Sequence, residues 1–247
     1  MFAIIGGSGL AKLSALDAPR RQVMRTPYGE PSGALTFGTL AGQEVVFLAR
    51  HGYGHTIAPH EINYRANIWA LRELQVEGVF AVAAVGGIRP DLGPRTLVVP
   101  DQIIDYTHSR KSTFFEGGQS GVTHIDFTEP YSAALRARLL AAARACGEAL
   151  ADGGVYACTQ GPRLETAAEI ERLARDGADA VGMTGMPEAA LAREAGLEYA
   201  ALAVVVNHAA GRGDSRHEIK LEELDEVLRA SIVRAVRVLE SALRGPS

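Results

Sequence analysis

Polar residues that follow directly on apolar runs carry most of the chemistry legible in this sequence. Ser8 comes after Phe2–Ile5 and two glycines, Arg50-His51 after Glu44–Ala49, Thr184 after Ala180–Met183, and Asn207 after Ala201–Val206. An arginine offers a fixed fork of N–H donors suited to two phosphate oxygens, and a histidine adds a donor near neutral pH. The run Gly6-Gly7-Ser8-Gly9-Leu10 adds backbone N–H groups and a hydroxyl, as phosphate-cradling turns do. On its own this run reads equally as a plain tight turn, since it is neither a GxGxxG fingerprint nor a P-loop. Arg50 alone reads equally as an exposed cation at a strand end. Together with the Thr184 hydroxyl, these groups form a donor set able to hold an anion without a metal. Asn207 brings a different ability, because its amide both donates and accepts. At the carboxyl end of a buried strand it is placed to read a ligand.

The remaining reactive residue types point away from other chemistries. His51, His55 and His60 invite a metal reading, but glycines separate the first two and His60-Glu61 lacks the second histidine of HExxH, so no metal is expected. Cys146 and Cys158 form no ligand pair and read as core thiols. With 25 basic and 29 acidic residues the net charge is −4, which argues against broad nucleic-acid binding. The start of the chain has no basic region before its brief apolar run, and no run is long enough to span a bilayer. A soluble, cytoplasmic protein without a membrane partner is expected.

The elements that position these residues follow from periodicity. Strands are expected at Phe2–Ile5, Ala34–Gly38, Glu44–Ala49, Val79–Val85, Thr96–Val99, Gln102–Tyr106, Gly153–Thr159, Ala180–Met183 and Ala201–Val206. Helices are expected over Asn63–Leu74, Tyr131–Leu150, Glu165–Arg175, Pro187–Ala195 and Leu221–Leu243. Thr107–Glu129, with His124 and Phe127, reads as a long loop of the kind used as a lid or an interface. No linker or repeat divides the 247 residues. The fold class is therefore α/β, a single domain over 1–247 with a central mixed β-sheet flanked by helices.

Five motifs lie in order along nearly the whole chain: Ile-Ile-Gly-Gly-Ser-Gly-Leu (4–10), Ala-Arg-His-Gly (49–52), Asn-Tyr-Arg-Ala-Asn-Ile-Trp-Ala-Leu (63–71), Gln-Gly-Pro-Arg-Leu-Glu-Thr (160–166) and Gly-Met-Thr-Gly-Met-Pro-Glu (182–188). With them the sequence resembles the trimeric branch of the purine nucleoside phosphorylase superfamily, within it the methylthioadenosine and methylthioinosine phosphorylase group. The resemblance implies phosphorolysis, in which inorganic phosphate is a co-substrate and no cofactor is needed. It places Ser8, Arg50, His51, Thr184 and the backbone at Ala83 and Ala84 around phosphate, and Met183 against the ribose. Relatives often carry Thr where this chain has Ala83, so a side-chain phosphate contact is absent there. Leu164 stands where many relatives place a phenylalanine on the base. A homotrimer is implied, with the 107–129 loop reaching a neighbour's pocket.

The same resemblance bears on the purine. Methylthioadenosine phosphorylases carry Asp at the position of Asn207 and again two residues on, where this chain has Ala209. An amide suits a 6-oxo group and a protonated N7, so Asn207 is expected to act in catalysis as well as binding. Resemblance to 6-oxopurine phosphorylases has Glu165 accept from N1–H. S-Methyl-5′-thioinosine is the expected substrate, followed by inosine or guanosine and then methylthioadenosine. The facing of His217 and Ile219, near the 5′ end, is left open by the sequence. A water-using nucleosidase would leave Arg50, His51 and Thr184 without an anion. A non-catalytic nucleoside binder would have no use for them.

Overall fold

Strands buried on both faces need continuous apolar sequence, and two long stretches supply it here, Val79–Gly87 and Tyr199–His208. In the computed structural model, which describes residues 1–118 and 121–245, these two lie side by side in parallel at the centre of the sheet. Gln119 and Ser120, within the predicted 107–129 loop, and Pro246 and Ser247 lie outside the described residues. In chain order the strands are Phe2–Gly6 (β1), Asp17–Gln22 (β2), Leu35–Leu40 (β3), Gln43–Ala49 (β4), Val79–Gly87 (β5), Leu97–Val99 (β6), Gln102–Asp105 (β7), Leu150–Asp152 (β8), Val155–Cys158 (β9), Ala180–Gly182 (β10) and Tyr199–His208 (β11). The helices are Tyr64–Glu73 (α1), Ala133–Ala145 (α2), Ala167–Arg175 (α3), Gly185–Glu194 (α4) and Leu221–Arg244 (α5).

The sheet runs β2-β3-β4-β1-β5-β10-β9-β7, and β11 branches from β5 to carry β6 and then β8. Branching is possible because β5 is long. Its first half pairs in parallel with β1, and its last two residues, Gly86 and Gly87, pair antiparallel with β10. Parallel and antiparallel ladders coexist, so the sheet is mixed, as the sequence predicts.

Alternate residues of the two central strands pack on opposite faces. Val79, Ala81, Ala83 and Val85 join Ile68, Leu71 and Leu191, which belong to α1 and α4. Phe80 and Val82 instead join Leu135, Leu139, Val238 and Leu239, from α2 and α5. A helix layer therefore covers each face, and the strand ends are left between them for ligands.

Three local differences from the sequence reading have clear causes. The strand β2, Asp-Ala-Pro-Arg-Arg-Gln, is exposed along its whole length and shows no apolar alternation to find. Its arginines lie over aromatic rings instead, Arg20 over Phe37 at 5.0 Å and Arg21 over Tyr53 at 4.2 Å, and its Pro19 suits a sheet edge. The helix predicted to reach Leu150 stops at Ala145, because Gly147 turns the backbone left-handed at φ 73°, and Leu150–Asp152 becomes β8. The helix predicted from Glu165 begins at Ala167, where Thr166 and Glu169 form a reciprocal capping box. Glu165 is thereby left outside the helix.

Candidate active site

A cavity of about 310 Å³ opens where the carboxyl ends of β1, β4, β5, β10 and β11 meet, a size suited to a small ligand. Every residue assigned to the phosphate or nucleoside site from the sequence lines it: Ser8, Arg50, His51, Ala83, Ala84, Leu164, Glu165, Met183, Thr184, Asn207 and Ala209. Strands distant in sequence end at one place, so their polar tips converge.

Gly7 shows how tightly this corner is built. A Cβ there would lie 2.6 Å from the Val82 carbonyl oxygen and 2.8 Å from Arg50 Nη1. Only glycine lets the turn carrying Ser8 rest on β5. A further turn beyond β4, Arg50 is almost fully buried, and its Nε and Nη2 donate to the two Glu188 oxygens at 2.6 and 2.7 Å. Its Nη1 donates to the Val82 carbonyl at 2.8 Å, and the Tyr199 hydroxyl donates to Glu188 at 2.8 Å. Burial by itself lowers the arginine's pKa, but the charge and hydrogen bonds of Glu188 outweigh it, so the guanidinium stays charged. The expectation of a fork open to two phosphate oxygens is therefore corrected. The Nε–Nη2 edge is committed to Glu188, and any anion meets the remaining Nη protons.

The next residue, His51, donates from Nδ1 to the Ile57 carbonyl at 2.8 Å. Burial, then the Arg50 charge, lower its pKa to about 4, against the opposing effect of that hydrogen bond. The ring is therefore neutral at pH 7 with its proton on Nδ1, and Nε2 is an acceptor. His55, read from sequence only as a possible metal ligand, lies against His51 with ring centroids 4.5 Å apart and meets the Ser8 hydroxyl at 3.5 Å. Thr184 is buried at the entry to α4, and its side chain does not cap that helix.

At the opposite wall the pairing of β11 with β5 shifts register between Val205 and Asn207. Such a bulge re-aims side chains at a strand end. Asn207 Nδ2 donates to the His208 carbonyl at 2.6 Å, which fixes the amide plane and leaves Oδ1 and the second N–H for other partners. Ala209 is buried, packed with Ile88 and Val181. One oxygen of Glu165 accepts from the Thr159 hydroxyl at 2.6 Å, leaving the other as an acceptor. Met183 lies against Gly161, whose φ is 61°; a Cβ there would come within 2.4 Å of the Met183 sulfur. Leu164 is 40% exposed at the cavity edge.

The sequence did not assign Ile219, Leu224, Asp225 and Leu228 to the site, although all four line the cavity. Leu228 is the key to their arrival, since a Cβ on Gly9 would lie 2.7 Å from its Cγ. The start of α5 thus lies over the Ser8 turn. Of the pair left open by the sequence, Ile219 lines the cavity and His217 is exposed to solvent. Cys158 is a core thiol, as predicted, with burial pushing its pKa up to about 12.

A family model described as the phosphorylase superfamily matches residues 1–244. The chain belongs to the phosphorylase superfamily. It is 55% identical over 243 residues to a probable S-methyl-5′-thioinosine phosphorylase of Pseudomonas syringae pv. tomato, covering 98% of both chains. It is 46% identical over 247 residues to a 6-oxopurine nucleoside phosphorylase of Pyrococcus furiosus, covering 98% of this chain and 91% of that one. Methylthioadenosine phosphorylase from Schistosoma mansoni in complex with adenine superposes with a TM-score of 0.93 at 32% identity, over 98% of this chain and 90% of that one. This superfamily member is an enzyme of the pentosyltransferase type, a nucleoside phosphorylase in fold and sequence alike. No helix among the described residues is long and apolar enough to cross a membrane.

Two outcomes test the phosphorylase's buried corner. Glu188→Ala leaves the Arg50 charge without its partner and is expected to cost about 3–5 kcal/mol in urea unfolding; a loss below about 1 kcal/mol would refute the role of the pair. For His51, the folded pKa lies below the ordinary 6.5, so the unfolded chain binds more protons between pH 6.5 and 4. Without phosphate, its contribution to stability is full above pH 6.5 and falls by about 3 kcal/mol by pH 4. His51→Gln should flatten this part of the pH–stability curve, and an unchanged slope would contradict the neutral, buried ring.

Proposed function

We propose that the enzyme cleaves S-methyl-5′-thioinosine with inorganic phosphate, giving hypoxanthine and 5-methylthioribose 1-phosphate. The observation that carries this reading is the β11 end, where Asn207 faces the cavity and the residue two further on is Ala209 rather than an acid. A 6-oxopurine offers O6 as an acceptor and, as it leaves, N7–H as a donor. Asn207 answers both, with the N–H not given to His208 and with Oδ1. Glu165 accepts from N1–H through the oxygen that Thr159 does not occupy. Adenine presents an amino group in place of O6 and no N1–H, so both contacts would fail. The name of the Pseudomonas syringae relative supports the same substrate.

Phosphate is held by Ser8 and its turn, the remaining N–H groups of Arg50, His51 Nε2 accepting the proton of a hydrogen phosphate, and Thr184, with Ala83 and Ala84 contributing backbone. An oxygen of the bound phosphate attacks C1′ as the C1′–N9 bond breaks. The bonding pair leaves with the purine, which gains a proton at N7 while the hydrogen phosphate gives one up, and positive charge develops on the ribose between the two. Asn207 stabilises the departing base. Neither a metal nor an organic cofactor enters this scheme. At the 5′ end, Ile219, Leu224 and Leu228 form an apolar wall that suits a methylthio group better than a hydroxyl. Inosine and guanosine remain the second reading, favoured by the Asp225 carboxylate beside that wall. We further infer a cytoplasmic homotrimer, for which Leu164 at the cavity edge and the exposed Leu221 at the start of α5 give apolar surface.

Hypoxanthine release from methylthioinosine should require phosphate and yield the sugar 1-phosphate; release at equal rate in phosphate-free buffer would make the enzyme a hydrolase. Arg50→Ala is a poor probe of the phosphate site, because it strands Glu188. Thr184→Ala should raise the phosphate KM about 10-fold or more and leave the nucleoside KM within about 2-fold. For the base, Asn207→Asp with Ala209→Asp should shift the kcat/KM ratio toward methylthioadenosine by at least about 10-fold. Equal or improved preference for methylthioinosine in that double variant would sink the assignment of Asn207.

A further inference from the structure

A dense cluster of hydrogen bonds surrounds one side chain of the 107–129 segment, Arg110. Arg110 donates from Nη1 to the carbonyls of Met183 and Met186 at 2.8 and 2.6 Å. From Nη2 it donates to the carbonyls of Gln160 and Thr159 at 2.9 and 3.2 Å, and from Nε to the Gln160 side-chain oxygen at 3.1 Å. Its guanidinium also lies over the Tyr64 ring, with Nη1 3.2 Å from the hydroxyl. Among the described residues, no other cation donates to backbone carbonyls of both these stretches, which follow β9 and β10.

Those two stretches are the ones that carry Glu165 on one side and Met183 and Thr184 on the other. They are separate in sequence, and each leaves its strand as irregular backbone. Met186 interrupts the start of α4 with φ −119° and ψ 139°, so the carbonyls before it are not used by a regular helix. A planar fork with five donors can bridge such carbonyls; a lysine ammonium, a point charge with three rotatable donors, cannot reproduce the geometry.

The arginine is itself held from behind. The His108 N–H donates to the same Gln160 side-chain oxygen at 3.2 Å. Beyond it, the Thr113 hydroxyl and the Phe114 N–H both donate to Glu194, at the end of α4, at 2.7 Å. The segment is thus fastened to α4 and brings Arg110 to the two strand ends together.

We propose that Arg110 is a positioning residue for the nucleoside: it sets the distance between the stretch that bears the base acceptor Glu165 and the stretch that bears Met183. It reaches substrate only through those carbonyls. The proposal rests on the phosphorolysis reading, and it assigns this part of the predicted lid a role within its own subunit.

Steady-state kinetics of the full enzyme with methylthioinosine and phosphate test this, comparing the parent with Arg110→Lys and Arg110→Ala. The nucleoside KM should rise at least about 10-fold in both variants, while the phosphate KM changes less than about 3-fold. Added ethylguanidinium should lower the nucleoside KM of Arg110→Ala, and it should leave Arg110→Lys unaffected. Equal rises in both KM values, or a nucleoside KM unchanged in a folded variant, would overturn the proposal. If Arg110→Ala fails to fold, Arg110→Lys alone decides by the same split between the two KM values. Absence of phosphate-dependent cleavage in the parent enzyme would instead refute the phosphorolysis reading on which the proposal stands.

Discussion

A guanidinium and a carboxylate, both shut away from water, hold one corner of this enzyme's cavity in shape. The Arg50–Glu188 pair joins residues 138 positions apart, and its partners Val82 and Tyr199 add β5 and β11 to the arrangement. Desolvating two such ions is costly, and the geometry offsets that cost only because both oxygens of Glu188 are engaged. The pair leaves a positive charge at the cavity wall without a mobile side chain, because the fork that would otherwise move is bonded. An anion entering the cavity meets donors already oriented, which is the condition under which electrostatic stabilisation is most effective. Burial, reinforced by the same charge, keeps His51 neutral, so the imidazole next to Arg50 acts as an acceptor.

From that corner the cavity divides by the elements that line it. On the proposed reading, the Ser8 turn, the residues after β4 and Thr184 form the anion end, and the bulged end of β11 and the stretch before α3 form the base end. They are brought into register by the sheet beneath them and, at the two irregular stretches, by the Arg110 donors that span both. On the same reading, specificity between purines depends on a few atoms. Asn207 is held by its bond to His208, and Ala209 contributes by leaving no carboxylate where an amino group would be read.

Much of this was legible in the sequence, because apolar runs ending in polar residues locate strand ends, and strand ends of an α/β sheet locate ligands. Ser8, Arg50, His51, Thr184 and Asn207 all share that signature, and all line the cavity. What stayed hidden depends on contacts between distant positions. Glu188 reads as an ordinary acid in the first turn of a helix, and nothing near it in sequence announces Arg50. Arg110 lies in a polar stretch with no periodicity, and its partners are backbone carbonyls, which carry no sequence signal. The exposed β2 and the short β8 lack alternation for a different reason, since neither buries a full apolar face. The 5′ wall was ambiguous because Ile219 and His217 alternate, and only the path of the chain into α5 shows which of them faces inward.

The central claim is that a strand end bearing Asn207, without a following acid, selects a 6-oxopurine for phosphorolysis beside a methylthio pocket. The most direct measurement is kcat/KM of the unmodified enzyme for methylthioinosine, methylthioadenosine, inosine and guanosine at saturating phosphate. The account predicts that methylthioinosine exceeds methylthioadenosine by at least about 100-fold and also exceeds inosine and guanosine. Methylthioadenosine cleaved as fast as methylthioinosine, or faster, would contradict it.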